Sequence, residues 1–380
     1  MDKALDNLLT RGVLEILPSK KSLEDLMMKK KITLYQGFDP THSSLHVGHF
    51  VGVRKLAEFQ RLGHKVIFLI GDFTGMIGDP TDKSSVRQKL TKDQVKTNLK
   101  EYTSQVERII DFEGNNPAEI KFNSKWLGKL TFKEVIELAS NLTVQQMLER
   151  EFFQERIKRE KPIYLHEFLY PLMQGYDSVV MEVDLEVGGS DQLFNMLTGR
   201  TLMKTLKNKQ KFVMTTKLLG DALGKKMGKT EGNAFFLSDP ASEIFGKMMS
   251  FPDELMKSSV ELLTDFPLDF GEKENPMDTK KKIAFDVVRQ IKGEKEASEA
   301  QKHFETTFQK KSPDFSKEVT KKSTILDIVA GQVGSKTEAK RLLSQNAVDI
   351  DKKTITDPLT KIEGGEKIKI GKKTFVKVKN

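Results

Sequence analysis

Residues 34–49 read LYQGFDPTHSSLHVGH, and this stretch decides the fold. The apolar run over residues 32–38 predicts a buried strand, and the turn-rich run over residues 39–44 predicts its end. An amphipathic pattern over residues 46–62 then predicts a helix. His46 and His49 would therefore stand at the start of a helix packed on a sheet, where unpaired backbone N–H groups and the helix dipole favour an anion.

Gly48 lies between the two histidines and carries no side chain, so a flat ring or a ribose could lie directly against the backbone there. The stretch therefore predicts a site for the phosphates and adenosine of a nucleotide. The alternative is that His46 and His49 only cap and line a surface helix.

A second informative stretch, residues 223–233, reads LGKKMGKTEGN. Its glycines and the preceding Gly220 disfavour a helix and predict a mobile loop. Lys226 and Lys229 on such a loop could fold over a triphosphate and stabilise the negative charge that develops as pyrophosphate leaves. The alternative is an ordinary solvated surface loop.

Together the two stretches resemble the two signature sequences of class I aminoacyl-tRNA synthetases. In the second one, Gly228 and Thr230 stand where the signature usually has serines, but Lys226 and Lys229 are kept. The resemblance implies a Rossmann-like nucleotide-binding domain that makes an aminoacyl-adenylate from ATP.

The composition is that of a globular protein with room for two or three domains in 380 residues, 37% of them hydrophobic and 31% charged. No stretch approaches the length of a membrane span, and the N-terminus has no apolar segment of a signal peptide. The absence of cysteine excludes disulfides, thiolate catalysis and Cys-ligated zinc. We therefore expect a cytoplasmic enzyme with no membrane partner and no tightly bound metal.

The charge balance favours a polyanionic partner. The formal net charge is +9, and the last 58 residues hold twelve Lys or Arg against seven Asp or Glu. The basic surplus is therefore concentrated in the tail.

Strand-like and helix-like patterns alternate from residue 32 to about 220, which predicts an α/β fold with a parallel sheet. Before them, residues 1–30 predict two helices with a break at Pro18. Further strands are predicted at 65–70, 179–187 and 212–216. The predicted domains are a Rossmann-like catalytic domain at 1–220 with a helical insertion at about 95–160, a mobile loop and helical domain at 221–305, a linker at 306–322 and a small α+β domain at 323–380.

The tail predicts a capped basic helix followed by short strands. Ser335 and Glu338 have the spacing of a capping box, and the helix carries Lys336, Lys340 and Arg341 on one side. Strands are predicted at 347–350, 367–370 and 374–378, with a turn at Gly364–Gly365. The segment resembles the S4-type RNA-binding module, which implies contact with the phosphates of a folded RNA. The alternative is a solvated helix in an accessory domain.

Three more motifs, at residues 71–80, 169–177 and 188–192, resemble the bacterial tyrosine-specific family of these synthetases when they are taken together with residues 35–39. The resemblance extends over about 32–236 and the tail, and it is weak at 95–160 and 240–322. It implies that L-tyrosine, ATP with Mg²⁺ and tRNA(Tyr) are the substrates and that the chain forms a homodimer, through the 95–160 insertion.

The same resemblance implies a role for individual residues. Tyr35 and Asp177 would bind the phenol of the substrate, because a buried phenolic hydroxyl needs both a donor and an acceptor. The alternative for this pair is a purely structural hydrogen bond. The remaining assignments are Asp79, Tyr170 and Gln174 for the ammonium group, Asp39, Asp191 and Gln192 near the ribose and carboxylate, Thr41 and His46 for the γ-phosphate, His49 near the ribose ring, Gly37, Gly48 and Gly189 against ATP, and Lys83 and Arg87 on a loop that closes on pyrophosphate.

In the implied reaction the tyrosine carboxylate attacks the α-phosphorus of ATP, so no nucleophilic side chain is needed. Three alternatives stay open at this point. A tryptophan-specific enzyme would share the fold, but an indole N–H is only a donor and does not suit Tyr35 and Asp177. The other two are a nucleotidyltransferase that acts on a small metabolite and an RNA-binding protein descended from a synthetase.

Overall fold

The computed structural model describes residues 3–41, 43–79, 101–220, 234–309, 315, 317–351, 353–371 and 374–379. The chain divides into two compact units, residues 1–298 and residues 299–380. In the part of the chain described here, no helix is both long and apolar enough to cross a membrane.

The first unit is built on a six-stranded sheet in the order β1-β6-β5-β2-β3-β4. All neighbouring strands run parallel except β1, which pairs antiparallel with β6 at one edge. Strand β3 is buried at five of its six residues, so its sequence is apolar without alternation, whereas β2 has three buried residues and an exposed Gly37. The strands are β1 Val13–Leu17, β2 Thr33–Phe38, β3 Lys65–Ile70, β4 Glu119–Phe122, β5 Leu185–Gly189 and β6 Phe212–Thr216.

Helices pack against this sheet. Residues 101–106 are also helical. The helices with full bounds are α1 Lys3–Thr10, α2 Lys20–Lys29, α3 Val47–Arg61, α4 Ser124–Leu127, α5 Phe132–Ala139, α6 Val144–Leu148, α7 Glu151–Lys158, α8 Tyr170–Met181, α9 Leu193–Lys207, α10 Ala241–Met249, α11 Met256–Leu263, α12 Pro276–Lys292 and α13 Glu294–Phe304.

Two predictions about the strands are wrong. Residues 13–17 form the edge strand β1 and not part of a helix, because VLEIL pairs with β6 across the chain, which no local pattern shows. The predicted strand at 179–187 is divided: α8 continues to Met181, Glu182 turns the chain with φ +48°, and only Leu185–Gly189 is strand. An apolar run such as this one does not distinguish a buried helix from a buried strand.

The prediction that the insertion at 95–160 is helical is wrong in part. Residues 119–122 form β4, which pairs in parallel with β3 and extends the sheet. The strand has only four residues, two of them charged, so its sequence has no strand pattern of its own. The strands predicted at 65–70 and 212–216 are observed with those bounds. The helix predicted at 46–62 corresponds to α3 together with its two cap residues, His46 and Leu62.

The second unit has a five-stranded sheet in the order β7-β11-β10-β8-β9, with two helices that share its core. β7 lies in the segment predicted as a linker. The strands predicted at 367–370 and 374–378 are observed with those bounds. The elements are β7 Glu318–Val319, α14 Ile325–Val333, α15 Lys336–Ser344, β8 Val348–Ile350, β9 Lys353–Thr354, β10 Lys367–Ile370 and β11 Thr374–Val378.

Only half of the predicted capping box is formed at the start of α15. The Ser335 hydroxyl accepts a hydrogen bond from the Glu338 backbone N–H at 3.4 Å. The Glu338 carboxylate instead accepts two hydrogen bonds from the Arg341 guanidinium, at 2.7 and 2.5 Å. A charge-assisted, bidentate pair competes better for this carboxylate than a single backbone N–H does.

His64 makes the stability of the first unit depend on pH. It is 3% exposed, and its Nδ1 accepts a hydrogen bond from the Ile32 N–H at 3.2 Å. Burial, helped by the charge of Lys31, lowers the pKa of His64 from 6.5 to about 4. The native protein therefore keeps a neutral imidazole over a pH range in which the unfolded chain is protonated.

We predict that the contribution of His64 to the free energy of unfolding is at its full value above pH 6.5, falls as the pH drops towards 4 and levels off below that, with a total loss of about 1 to 3 kcal/mol. The variant His64→Asn keeps an acceptor for Ile32 and removes the titration. Urea unfolding near pH 7 and near pH 4.5 should show a smaller acid loss in the variant. An equal loss in both proteins would contradict the assignment.

Candidate active site

The candidate site lies where the carboxyl ends of β2, β3 and β5 meet. Asp39, directly after β2, accepts hydrogen bonds from the Thr74 hydroxyl at 2.7 Å and from the Tyr170 hydroxyl at 2.8 Å. Gly71, directly after β3, leaves room for this carboxylate, since a Cβ there would lie 1.9 Å from an Asp39 oxygen. One carboxylate thus joins the ends of β2 and β3 to the start of α8.

His46 is the N-cap of α3, as its position in the sequence indicates. Its side chain accepts a hydrogen bond from the Gly48 N–H at 3.0 Å, and the His49 Nδ1 accepts one from the His46 N–H at 3.2 Å. The two imidazoles stack with their centroids 3.9 Å apart. A Cβ on Gly48 would lie 2.9 Å from the His46 ring, so a glycine here allows the imidazole to fold back against the start of α3.

The lysines of the second motif, Lys226 and Lys229, lie outside the described residues, as do Lys83 and Arg87. The residues that follow the second motif are described. The Val47 N–H donates to the Phe235 carbonyl at 3.0 Å. This contact brings the chain that leaves the second motif alongside the start of α3, where His46 lies.

The other predicted nucleotide contacts are at the ends of β2 and β5. The Thr41 N–H donates to the Asp39 carbonyl at 2.7 Å, in the turn after β2. Gly37 lies within β2, and Gly189 is the last residue of β5. Asp191 is exposed, and a Cβ on Gly189 would lie 2.5 Å from one of its oxygens.

The three residues predicted to hold the ammonium group each have a protein partner. The Gln192 side-chain amide donates to Asp79 at 2.7 Å. The Tyr170 hydroxyl donates to Asp39, and the Gln174 amide donates to Glu186 at 3.0 Å. The Tyr170 hydroxyl and one N–H of Gln174 are therefore engaged within the protein, and both side chains keep oxygen lone pairs that can accept hydrogen bonds.

Tyr35 and Asp177, the predicted phenol pair, are both buried. The Tyr35 hydroxyl lies 2.8 Å from the Ser178 hydroxyl. Asp177 accepts hydrogen bonds from the Trp126 indole at 2.7 Å and from the Asn123 amide at 3.3 Å. Burial raises the pKa of Asp177 well above its usual range, although these two hydrogen bonds oppose the shift. Burial likewise raises the pKa of the Tyr35 phenol.

Sequence reasoning missed several residues around this pair. Trp126 and Asn123 reach Asp177 from the start of α4, more than 50 residues away, and no local motif indicates this. Glu186 and Lys211 form a buried ion pair beneath Tyr35 and Gln174. The one available signal was the charge of Glu186 within an otherwise apolar strand.

The predicted RNA-binding residues lie on α15 of the second unit. Lys336 and Lys340 are exposed. Arg341 is exposed too, but its guanidinium is paired with Glu338 and also donates to the Gln345 side chain at 2.7 Å. This pairing raises the pKa of Arg341.

A parallel sheet with a histidine-capped helix at its central strand is the architecture of a Rossmann-like nucleotide-binding enzyme. The family described as tRNA synthetases class I (W and Y) matches residues 27–309. The chain therefore belongs to this family of class I tRNA synthetases, which comprises the tryptophan and tyrosine enzymes.

Relatives that are similar to this chain over nearly its whole length are tyrosine–tRNA ligases. The chain is 42% identical to the tyrosine–tRNA ligase of Thermotoga maritima, over 98% of this chain and 96% of that protein. It is 41% identical to the tyrosine–tRNA ligase of Aquifex aeolicus, over 98% and 97% respectively. A C-terminally truncated mitochondrial tyrosyl-tRNA synthetase of Coccidioides posadasii superposes with a TM-score of 0.66 at 25% identity, over 80% of this chain and 92% of that one.

We predict that Trp126→Phe weakens tyrosine binding about tenfold, because the buried Asp177 carboxyl loses its hydrogen bond from the indole while the site keeps an aromatic ring. Equilibrium dialysis with labelled tyrosine measures the effect, and ATP affinity serves as the control. Trp126 is the only tryptophan of the chain, so its fluorescence should also change when tyrosine binds to the unmodified protein. Equal tyrosine affinity in the two proteins would rule out this contribution of Trp126.

Proposed function

We infer that this protein activates L-tyrosine with ATP, forming tyrosyl-adenylate and pyrophosphate, and then transfers tyrosine to the 3′ end of tRNA(Tyr). The observation that carries the proposal is the buried pair Tyr35 and Asp177: the Tyr35 hydroxyl lies 2.8 Å from that of Ser178, which follows Asp177 on α8, and Asp177 accepts a hydrogen bond from the Trp126 indole at 2.7 Å. Family membership and the tyrosine-specific relatives support the same reaction.

The pocket suits tyrosine because of the polarity of its groups. The phenolic hydroxyl of the substrate would meet Tyr35 and Asp177, and phenylalanine would leave both buried groups without that partner, which is costly. The ammonium group of the tyrosine substrate has three N–H donors, and Asp79, Tyr170 and Gln174 would accept their hydrogen bonds. An indole N–H offers only a donor to the Tyr35 and Asp177 pair, which disfavours tryptophan.

In the first step the substrate carboxylate attacks the α-phosphorus of ATP, and the protein positions the reactants and stabilises the charge that develops on the leaving phosphates. We assign this stabilisation to Thr41 and His46 and to the lysines Lys226 and Lys229, with Lys83 and Arg87 closing on pyrophosphate. Asp39, His49, Asp191 and Gln192 would position the ribose and the carboxylate, and Gly37, Gly48 and Gly189 would lie against the nucleotide.

ATP would enter as its magnesium complex. Across the described ranges, no three His, Cys, Asp or Glu side chains gather in a way that suits a metal ion. The phosphate oxygens of the nucleotide are ligands that Mg²⁺ prefers. We place the enzyme in the cytoplasm, where both ATP and tRNA are found.

We predict that His46→Ala lowers the rate of tyrosyl-adenylate formation about 10²-fold or more while tyrosine affinity stays nearly unchanged, because the imidazole acts on charge that appears only in the transition state. His46→Asn keeps an N-cap acceptor for α3 and should show the same rate loss with less loss of stability. Single-turnover adenylate formation is the measurement. A rate within twofold of the unmodified enzyme would remove His46 from this role.

The second unit would bind tRNA through the exposed face of α15. The unmodified enzyme should attach labelled tyrosine, and not tryptophan, to tRNA in an ATP-dependent reaction, and failure to do so would overturn the proposed function.

Lys336→Glu with Lys340→Glu should weaken tRNA binding at least about tenfold and spare tyrosine activation. Lys273→Glu with Lys295→Glu makes the same charge change on exposed residues elsewhere and should have little effect. Equal aminoacylation by both variants would contradict the assignment to α15.

A homodimer would cover an apolar surface of the insertion. Phe132 and Ile136, one turn apart on α5, are 81% and 55% exposed. Exposed large apolar side chains that cluster in this way are typical of protein interfaces.

We predict that Phe132→Asp with Ile136→Asp converts a dimer into monomers, because two carboxylates would be buried at the interface. Sedimentation velocity measures the change. Met28→Asp alters an equally exposed apolar residue outside the insertion and should leave the dimer intact. A dimer that survives the double substitution would locate the interface elsewhere.

A further inference from the structure

A buried ion pair lies beneath the tyrosine pocket. Glu186 on β5 and Lys211, directly before β6, are 1% and 0% exposed. The Lys211 ammonium donates to the Glu186 carboxylate and also, at 3.1 Å, to the Met196 carbonyl. Such charges are expensive to bury, so their presence next to a binding pocket calls for an explanation other than stability.

The carboxylate of Glu186 contacts the pocket at two points. It accepts a hydrogen bond from the Gln174 side-chain amide at 3.0 Å and one from the Ser178 hydroxyl at 3.4 Å. Ser178 in turn lies 2.8 Å from the Tyr35 hydroxyl. The Lys211 ammonium lies 6.0 Å from the centroid of the Tyr35 ring, within the range of a cation–π contact.

The charge of Glu186 determines which way the Gln174 amide faces. A carboxylate can only accept hydrogen bonds, so the NH₂ group of Gln174 must point to it and the carbonyl oxygen must point away. A substrate ammonium needs an acceptor, and the amide in this orientation offers one. A neutral side chain that can both donate and accept would allow the opposite orientation as well.

We propose that the Glu186–Lys211 ion pair is a positioning device for the amino-acid substrate: it fixes the Gln174 amide at the ammonium end of tyrosine and the Tyr35 side chain at the phenol end. The proposal rests on the proposed tyrosine-activating function. The side-chain hydrogen bonds that the structure shows for the two residues go to each other, Gln174, Ser178 and Met196. The device therefore acts on tyrosine and not on ATP.

The test is the double variant Glu186→Gln with Lys211→Met, which removes both charges together and leaves no single charge buried. In tyrosine-dependent ATP–pyrophosphate exchange, we expect KM for tyrosine to rise at least about tenfold while KM for ATP stays within about twofold. A merely structural role would not separate the two constants. A folded double variant with unchanged KM for tyrosine, or with both constants raised alike, would overturn the proposal.

Two further variants keep the test decisive. Ser178→Ala removes one neutral hydroxyl, should fold whether or not the double variant does, and should lower the preference for tyrosine over phenylalanine about threefold or more. An unchanged preference would overturn the proposed link to Tyr35. Lys55→Met with Glu58→Gln removes another largely buried Lys–Glu pair, on α3, and should not separate the two KM values.

The unmodified enzyme distinguishes failure of this proposal from failure of the proposed function. If it shows no tyrosine-dependent exchange, the function is wrong, and the positioning role falls with it. If it shows such exchange and the variants match it in KM for tyrosine and in preference, only the positioning role is wrong.

Discussion

The position of β2 is the constraint on which the site depends. It pairs in parallel with β3 on one side and with β5 on the other, so three strands end at the same edge of the sheet. Asp39 then joins the β2 end to Thr74 and Tyr170 through two short hydrogen bonds. Because β2 lies inside the sheet between β5 and β3, residues far apart in the chain are held in one site by a rigid core.

The polar groups of the pocket are preorganised by one another. Tyr170 donates to Asp39, Gln192 to Asp79, and the Trp126 indole to Asp177, so each carboxylate is oriented before a substrate arrives. Buried polar groups must be paired, and here the pairing also fixes which atoms can donate and which can accept. In the proposed function, this pairing would let one pocket recognise an ammonium and a phenol and would disfavour an aromatic side chain without a hydroxyl.

The sequence predicted those parts that local chemistry determines. Strands β3 and β6 are short apolar runs that end at polar or glycine residues, and α3 is amphipathic with a histidine at its cap, so their bounds could be read directly. The edge strand β1 and the short β4 depend on pairing partners far along the chain and could not. The same holds for Trp126 beside Asp177 and for the Glu186–Lys211 pair, since a distant contact leaves no periodic pattern. The roles of the predicted site residues stay predictions, and Lys226 and Lys229 lie outside the described residues.

The central claim is that one pocket selects tyrosine and presents it to ATP. ATP–pyrophosphate exchange without tRNA, with tyrosine, phenylalanine and tryptophan supplied one at a time, tests it most directly. The account predicts rapid exchange with tyrosine and negligible exchange with the other two. Exchange that depends on tryptophan would contradict the assignment of Tyr35 and Asp177 to a phenol, and no exchange with any of the three would contradict the activation reaction itself.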